Sequence, residues 1–204
     1  MFDFLFERTA FESVVLTFIG TILLAAAGVF FRRLLALLGR LREYRMLVYV
    51  SLAGSCRDPM AKVITEQLLK DRKPRARIHG SGILLVGNNR ASKPAQFVVK
   101  EAYGKDLLKN YKPQQISEDL ANKAKLILVM EESNLDILRK RFPQHVGKLH
   151  ALKPFFGQTG DVSNPYRAPD EMSEEALNRY RATFSELEGL ISKNLDKLYE
   201  VITQ

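Results

Sequence analysis

The chain holds a single cysteine, Cys56, in 204 residues. That excludes an internal disulfide and any metal centre built from several thiolates, and it agrees with a reducing compartment. The three histidines, His79, His145 and His150, share no ligand spacing, so no metal and no other cofactor is expected. Internal repeats and low-complexity tracts are absent, which leaves out a repeat architecture. Zinc-knuckle spacing and an RNA-binding aromatic motif are missing as well. The formal charge of +8 therefore carries no expectation of a nucleic-acid partner.

Charge itself is missing from Ser13 to Phe31, S-V-V-L-T-F-I-G-T-I-L-L-A-A-A-G-V-F-F. A helix of about 20 such residues spans the roughly 30 Å hydrocarbon core of a bilayer. Asp3, Glu7 and Glu12 precede the run, and Arg32, Arg33, Arg40, Arg42 and Arg45 follow it. A secretory leader has the opposite order, so the expectation is a retained anchor in the inner (plasma) membrane, with the basic flank in the cytoplasm. On this reading residues 1–12 are a short extracytoplasmic N-terminus and 13–31 a transmembrane helix. Residues 32–45 form a basic juxtamembrane helix, and 46–204 a cytosolic domain. Leu34, Leu37, Leu38 and Leu41 recur at helical spacing beside the arginines, which suits either the headgroup region or a simple continuation of the membrane helix. Thr17, Thr21 and Ala25 give the span a small-residue face on which another helix could pack. The bilayer is thus the first expected partner, and membrane topology explains much of the positive charge.

The remaining length suits one domain, and 46% hydrophobic residues with 12 Gly and 8 Pro is ordinary globular composition. Short apolar runs at Met46 to Val50, Ile78 to Val86, Lys125 to Met130 and Lys148 to Leu152 predict four strands. Helical patterns lie between them. One begins with Asp58 as N-cap before Pro59 and runs to about Asp71. Others cover Pro94 to Tyr103, closed by Gly104, and Glu132 to Arg141, stopped before Pro143. Leu177, Tyr180, Phe184, Leu187, Ile191, Leu195, Leu198 and Ile202 form one long stripe through the C-terminus. Alternation of this kind predicts an α/β fold, a three-layer αβα sandwich around a four-stranded parallel sheet. Ligands bind such sheets outside the carboxyl ends of the strands.

At one such end lies Met46 to Lys62, M-L-V-Y-V-S-L-A-G-S-C-R-D-P-M-A-K. It resembles the phosphate loop of the low-molecular-weight protein tyrosine phosphatases, C-x5-R-S/T-P, with Ser51 at the cysteine, Arg57 at the arginine and Pro59 at the proline. Lys112-Pro-Gln-Gln-Ile116, Glu118 to Asn134 with its L-I-L-V-M core, and Val162-Ser-Asn-Pro-Tyr-Arg167 resemble further family segments in the same order, over roughly residues 45–203. The resemblance implies that fold. It also implies a reaction in which a thiolate attacks phosphorus, loop N–H groups and the arginine hold the phosphoryl oxygens, and an aspartate protonates the leaving group. Arsenate reductases of the same fold pass a disulfide among several cysteines, which this chain lacks.

Both chemical positions depart from the pattern. Ser51 replaces the nucleophile, with no base evident nearby in the sequence, and Asn164 replaces the acid. Asp161 and Asp170 flank Asn164, but neither precedes proline as the family's acid does. The loop is completed by Leu52, Ala53, Gly54, Ser55, Cys56 and Asp58. Gly54 stands where the family has asparagine, and Cys56 where it has a second, protecting cysteine. Asp58 replaces a hydroxyl residue, and its carboxylate is expected either to cap the helix or to pair with Arg57 and oppose a phosphate dianion. Serine for cysteine and asparagine for aspartate are also the changes used to trap substrates, yet they leave Gly54, Ser55 and Asp58 unaccounted for. Two functions are expected from this. One is an inactive phosphatase-like module that binds or scaffolds a protein partner, or serves as a subunit of a membrane complex. The other is a tyrosine phosphatase acting on a phosphotyrosine protein at the membrane.

Overall fold

The computed structural model describes Thr21 and residues 25–33, 45–72, 76–85, 90–167 and 172–203. The chain divides into two compact units, Met1–Glu43 and Tyr44–Gln204. In the first, Thr21 and residues 25–33 are helical, and Val29, Phe30 and Phe31 are exposed. Most of the 13–31 run, all of 1–12 and most of 32–45 lie outside the described residues. Among the described residues, no helix is long and apolar enough to cross a membrane.

The second unit is built on four parallel strands: β1 (Arg45–Ser51), β2 (Ala76–Gly82), β3 (Ala124–Val129) and β4 (Leu149–Ala151), in the order β2-β1-β3-β4. Side chains alternate along a strand, so β1 feeds both faces. Leu47 and Tyr49 point into one core with Leu126 and Leu128 of β3. Met46, Val48 and Val50 point into the other with Ile127 and Val129. Burial on both faces is why these runs read as continuously apolar.

Helices α1 (Arg57–Leu68), α2 (Lys93–Tyr103), α6 (Glu174–Lys193) and α7 (Leu195–Thr203) supply Ile64, Val98, Phe184, Leu187, Ile191 and Leu198 to the first core. The second core is closed by α3 (Glu118–Lys123) and α4 (Glu132–Arg141), through Ala121, Leu135 and Leu138. This is the expected three-layer sandwich. The chain leaves β1 toward β2 on one side and later returns to β3 on the other. The carboxyl end of β1 is therefore the switch point where ligands bind in such sheets.

Several boundaries differ from expectation, each for a local reason. β2 ends at Gly82 rather than Val86, although Ile83 N and Leu84 N still donate to Ser51 O (3.0 Å) and Leu52 O (2.9 Å), carrying the chain along the loop. Val86 itself lies outside the described residues. β4 shrinks to Leu149–Ala151 because a 3₁₀ turn, Pro143–Lys148, runs into it and Leu152 opens the short α5 (Leu152–Phe155). The long C-terminal stripe is two helices. Asn194 ends α6, its side-chain amide donating to Leu190 O at 2.8 Å. The short α3, unexpected from the apolar pattern, is capped by Ser117, whose hydroxyl accepts from Leu120 N at 3.2 Å.

Asp58 is the instructive correction. The helix starts two residues earlier, at Arg57, with Cys56 at the cap position and no capping side chain. Asp58 is no N-cap; it sits inside the first turn and is fully buried.

Candidate active site

β1 delivers Ser51 to the switch point with its side chain buried. From there residues 52–56 loop back to the N-terminus of α1, whose first-turn N–H groups lack intrahelical acceptors. Those dipoles and the helix end make the loop an anion cradle. Ser55 O accepts from Ser92 N at 2.8 Å, and Leu52 O from Leu84 N, so both flanks are pinned by neighbouring chain.

Gly54 has φ +71°, and a Cβ there would lie 2.8 Å from Gly82 N. A Cβ on Gly82 would in turn lie 2.8 Å from Ala53 C and Gly54 N. The loop and the end of β2 thus touch backbone to backbone. Asparagine tolerates a positive φ, but this contact admits no side chain without movement of β2. The departure at Gly54 is architectural.

Arg57 is only 3% exposed. Its Nη1 donates to Val162 O at 2.9 Å, and its Nη2 pairs with Glu131 Oε1 at 2.5 Å. Those contacts use two of five guanidinium donors and hold the plane at the end of β3, where Val162 N donates to Met130 O at 2.9 Å. The expected pairing of Asp58 with Arg57 does not form. Glu131 takes that place.

Asp58 instead faces Ser51. Its Oδ1 accepts from the Ser51 hydroxyl at 2.6 Å, and its Oδ2 accepts from the Tyr111 hydroxyl at 2.9 Å. Gly80 leaves space for this pair, since a Cβ there would lie 2.6 Å from the Tyr111 oxygen. Burial pushes the Asp58 carboxyl up to about 7, against the opposing pull of the Ser51 and Tyr111 hydrogen bonds, its backbone N–H and the nearby Arg57 charge. Burial and the facing carboxylate push the Tyr111 phenol up as well. Ser51 Oγ also accepts from Gly54 N at 3.1 Å, which aims its lone pairs into the loop. Ser51 does have a base within reach, contrary to the expectation from sequence.

Asn164 lies on the surface. Its Oδ1 accepts from Tyr166 N at 3.2 Å, a local turn, and its carbonyl accepts from Arg167. Asp161 offers no substitute acid, because its Oδ1 accepts from Glu132 N at 2.8 Å at the head of α4. Asp170 lies outside the described residues. Cys56 is half-buried, its sulfur 3.3 Å from the Ser92 hydroxyl, to which it donates, and 3.2 Å from the Tyr180 hydroxyl. Leu52 and Leu84 are exposed at the rim. Among the described residues no group of three metal-ligating side chains occurs. Tyr111, Glu131, Gly80, Gly82 and the Val162 carbonyl were all missed by sequence reasoning. Glu131 carried a signal, standing directly after the apolar run of β3, and Val162 opens a segment already likened to the family's.

A strand, a tight loop and a buried arginine at the switch point give an α/β protein the frame of a phosphate loop. The family description of low molecular weight phosphotyrosine protein phosphatases matches residues 46–203, and the chain belongs to that family. It is 29% identical over 153 residues to the low molecular weight protein-tyrosine-phosphatase PtpB of Staphylococcus aureus, covering 74% of this chain and 96% of that one. It is 24% identical over 146 residues to the protein-arginine-phosphatase of Bacillus subtilis, covering 71% and 91%. Among solved structures, the low molecular weight protein tyrosine phosphatase from T. tengcongensis superposes with a TM-score of 0.67 at 29% identity, over 75% of this chain and 99% of that one. A serine variant of the YwlE arginine phosphatase, with its active-site serine phosphorylated, superposes with a TM-score of 0.66 over 75% and 95%; at 23% identity this likeness is one of fold.

Proposed function

We propose that this protein is a membrane-anchored member of the phosphatase family that binds a phosphoryl group without the family's thiolate reaction, and serves as a binding or scaffold subunit for a protein partner. The observation that carries this reading is the pairing of Ser51 with Asn164. The nucleophile position holds a hydroxyl bonded to a buried carboxylate, and the acid position holds an exposed amide engaged in its own turn. Arg57 and the N-terminus of α1 remain as the phosphoryl-holding frame. The uncharged run 13–31 with its basic flank supports the anchor, and the exposed Phe30 and Phe31 are consistent with it.

The test combines turnover with binding. The full chain in mild detergent is expected to bind benzylphosphonate and to leave a small aryl phosphate unhydrolysed. Binding should weaken more than about a hundredfold in Arg57→Ala. Aryl phosphate turnover that disappears in the same variant would overturn the reading. Fractionation of cells and co-purification after mild extraction test the anchor and the partner; a soluble, solitary chain would count against both.

A second reading is favoured by the 2.6 Å contact between Ser51 and Asp58. A serine beside a base can take part in phosphoryl transfer, as an altered phosphatase acting on phosphotyrosine or phosphoarginine proteins would require. The phosphorylated serine of the YwlE variant supports a serine as a phosphoryl holder on this fold.

A further inference from the structure

We infer that Asp58 is the general base that makes Ser51 a phosphoryl acceptor, and that the donors it takes are those whose leaving group departs without a proton, acyl phosphates first among them. This rests on the loop binding a phosphoryl group, the reading proposed above.

The geometry supplies every part that the step needs. The Ser51 proton already points at Asp58 Oδ1 across 2.6 Å, both residues are buried, and Tyr111 holds the other carboxylate oxygen so that Oδ1 stays aimed. Gly54 N donates to Ser51 Oγ from the loop side, setting the oxygen's remaining lone pair toward the cradle. Arg57 stands next in sequence with its plane fixed by Glu131 and Val162.

The step balances. As Oγ bonds to phosphorus, its proton passes to Asp58 Oδ1, the bond from phosphorus to the acyl oxygen breaks, and the electron pair leaves with the carboxylate. A carboxylate is stable without a proton, which matters because, among the described residues, the acid loop offers no free carboxylic acid to give one. Asn164 is an amide, Asp161 is occupied by Glu132 N, and Glu131 is paired with Arg57. An unactivated alkoxide or phenoxide could not leave this site so readily.

Charge also favours the direction. Before transfer a buried carboxylate faces an incoming anion; afterwards it is a neutral acid beside the phosphoserine. The phosphate then persists, since Asn164 cannot activate water against it. The groups acting on Asp58 are Ser51, Tyr111, its backbone N–H and Arg57, and its carboxyl sits at about 7, so it is a base near neutrality.

The experiment incubates the full chain in detergent with acetyl phosphate and locates phosphate by intact-mass and peptide mass spectrometry. Expected is a single phosphate on Ser51, absent in Ser51→Ala, with a labelling rate that climbs as pH passes about 7. Asp58→Asn should slow labelling by about a hundredfold, the low end of the usual effect of a general base. Tyr111→Phe removes a hydrogen bond that stabilises the charged carboxylate, so the midpoint of the pH–rate profile should move to higher pH. Wild-type protein that binds benzylphosphonate but takes no phosphate on Ser51 overturns the acceptor role and leaves the binding reading standing. Wild-type protein that does neither overturns both. Labelling of Asp58→Asn at the wild-type rate, or an unmoved midpoint in Tyr111→Phe, overturns the role given to Asp58.

Discussion

Two loops meet at the candidate site, and they are held differently. The loop from Ser51 to Arg57 buries Ser51, Gly54 and Arg57 and is pinned by the Gly54–Gly82 contact, by Ser92 N and by the Glu131 and Val162 partners of Arg57. The segment from Asp161 to Arg167 is mostly exposed, held by single bonds such as Ser163 N to Glu186 (3.2 Å) and Arg179 to Pro165 O (3.2 Å). A change in the first loop must satisfy its neighbours, and Ser51 stands beside a carboxylate that it can bond. A change in the second disturbs little, so Asn164 needs no compensation beyond a local turn. Buried sites alter as networks and exposed ones residue by residue.

The largest expected effect tests whether Asp58 now blocks the family reaction. Ser51→Cys with Asn164→Asp restores both chemical groups, but the thiol would face a buried carboxylate, and like charge disfavours the thiolate. Adding Asp58→Ser should raise aryl phosphate turnover by about a hundredfold over that pair, since a neighbouring like charge is worth about 1–3 pH units of thiol acidity. Equal rates would mean that the carboxylate does not govern the loop.

Next comes stability against pH. The folded-state value of Asp58 lies near 7, above the ordinary 3.8, so its proton stabilises the fold. That stability is complete below about pH 4 and is lost as pH rises to about 7, by at most about 4 kcal/mol. Asp58→Asn keeps the shape without the charge. Urea midpoints should coincide near pH 4, with the variant clearly more stable at pH 8; parallel curves would remove the buried carboxylate from the argument.

Arg57→Ala should cost about 3 kcal/mol of benzylphosphonate binding, more than a hundredfold, read by calorimetry. Asn164→Ala, at the surface of the other loop, should change both binding and melting by less than about 0.5 kcal/mol. Gly82→Ala sets a Cβ 2.8 Å from the loop backbone and should destabilise by about 2 kcal/mol, a drop in melting temperature that alanine at Asn164 does not share. Similar losses from the two alanine changes would dissolve the contrast between the loops.

Much of the sheet could be read from the chain because a parallel strand buried on both faces leaves an unbroken apolar run, as at Leu126 to Met130. The phosphate loop could be read because its spacing from Ser51 to Arg57 is local. Boundaries failed where side chains outside the pattern intervened, as Ser117 did for α3 and Asn194 for the split between α6 and α7. The partners of the site were hidden for another reason. Tyr111 is 53 residues from Asp58, and Val162 is 105 from Arg57. No periodicity joins residues that meet only when β1 is flanked by β2 and β3.

Residue identity and local spacing alone thus determined the family, the layered fold and the presence of serine and asparagine at positions 51 and 164. They did so because covalent chemistry and apolar periodicity are properties of the chain itself. Which way Asp58 faces was decided only by tertiary structure. Its two candidate roles, helix cap and partner of Arg57, would each need only neighbouring residues, whereas the role it has requires Tyr111 and Gly80 to arrive from other segments. A carboxylate's chemistry is set by the neighbours that desolvate and bond it, and folding chooses those neighbours.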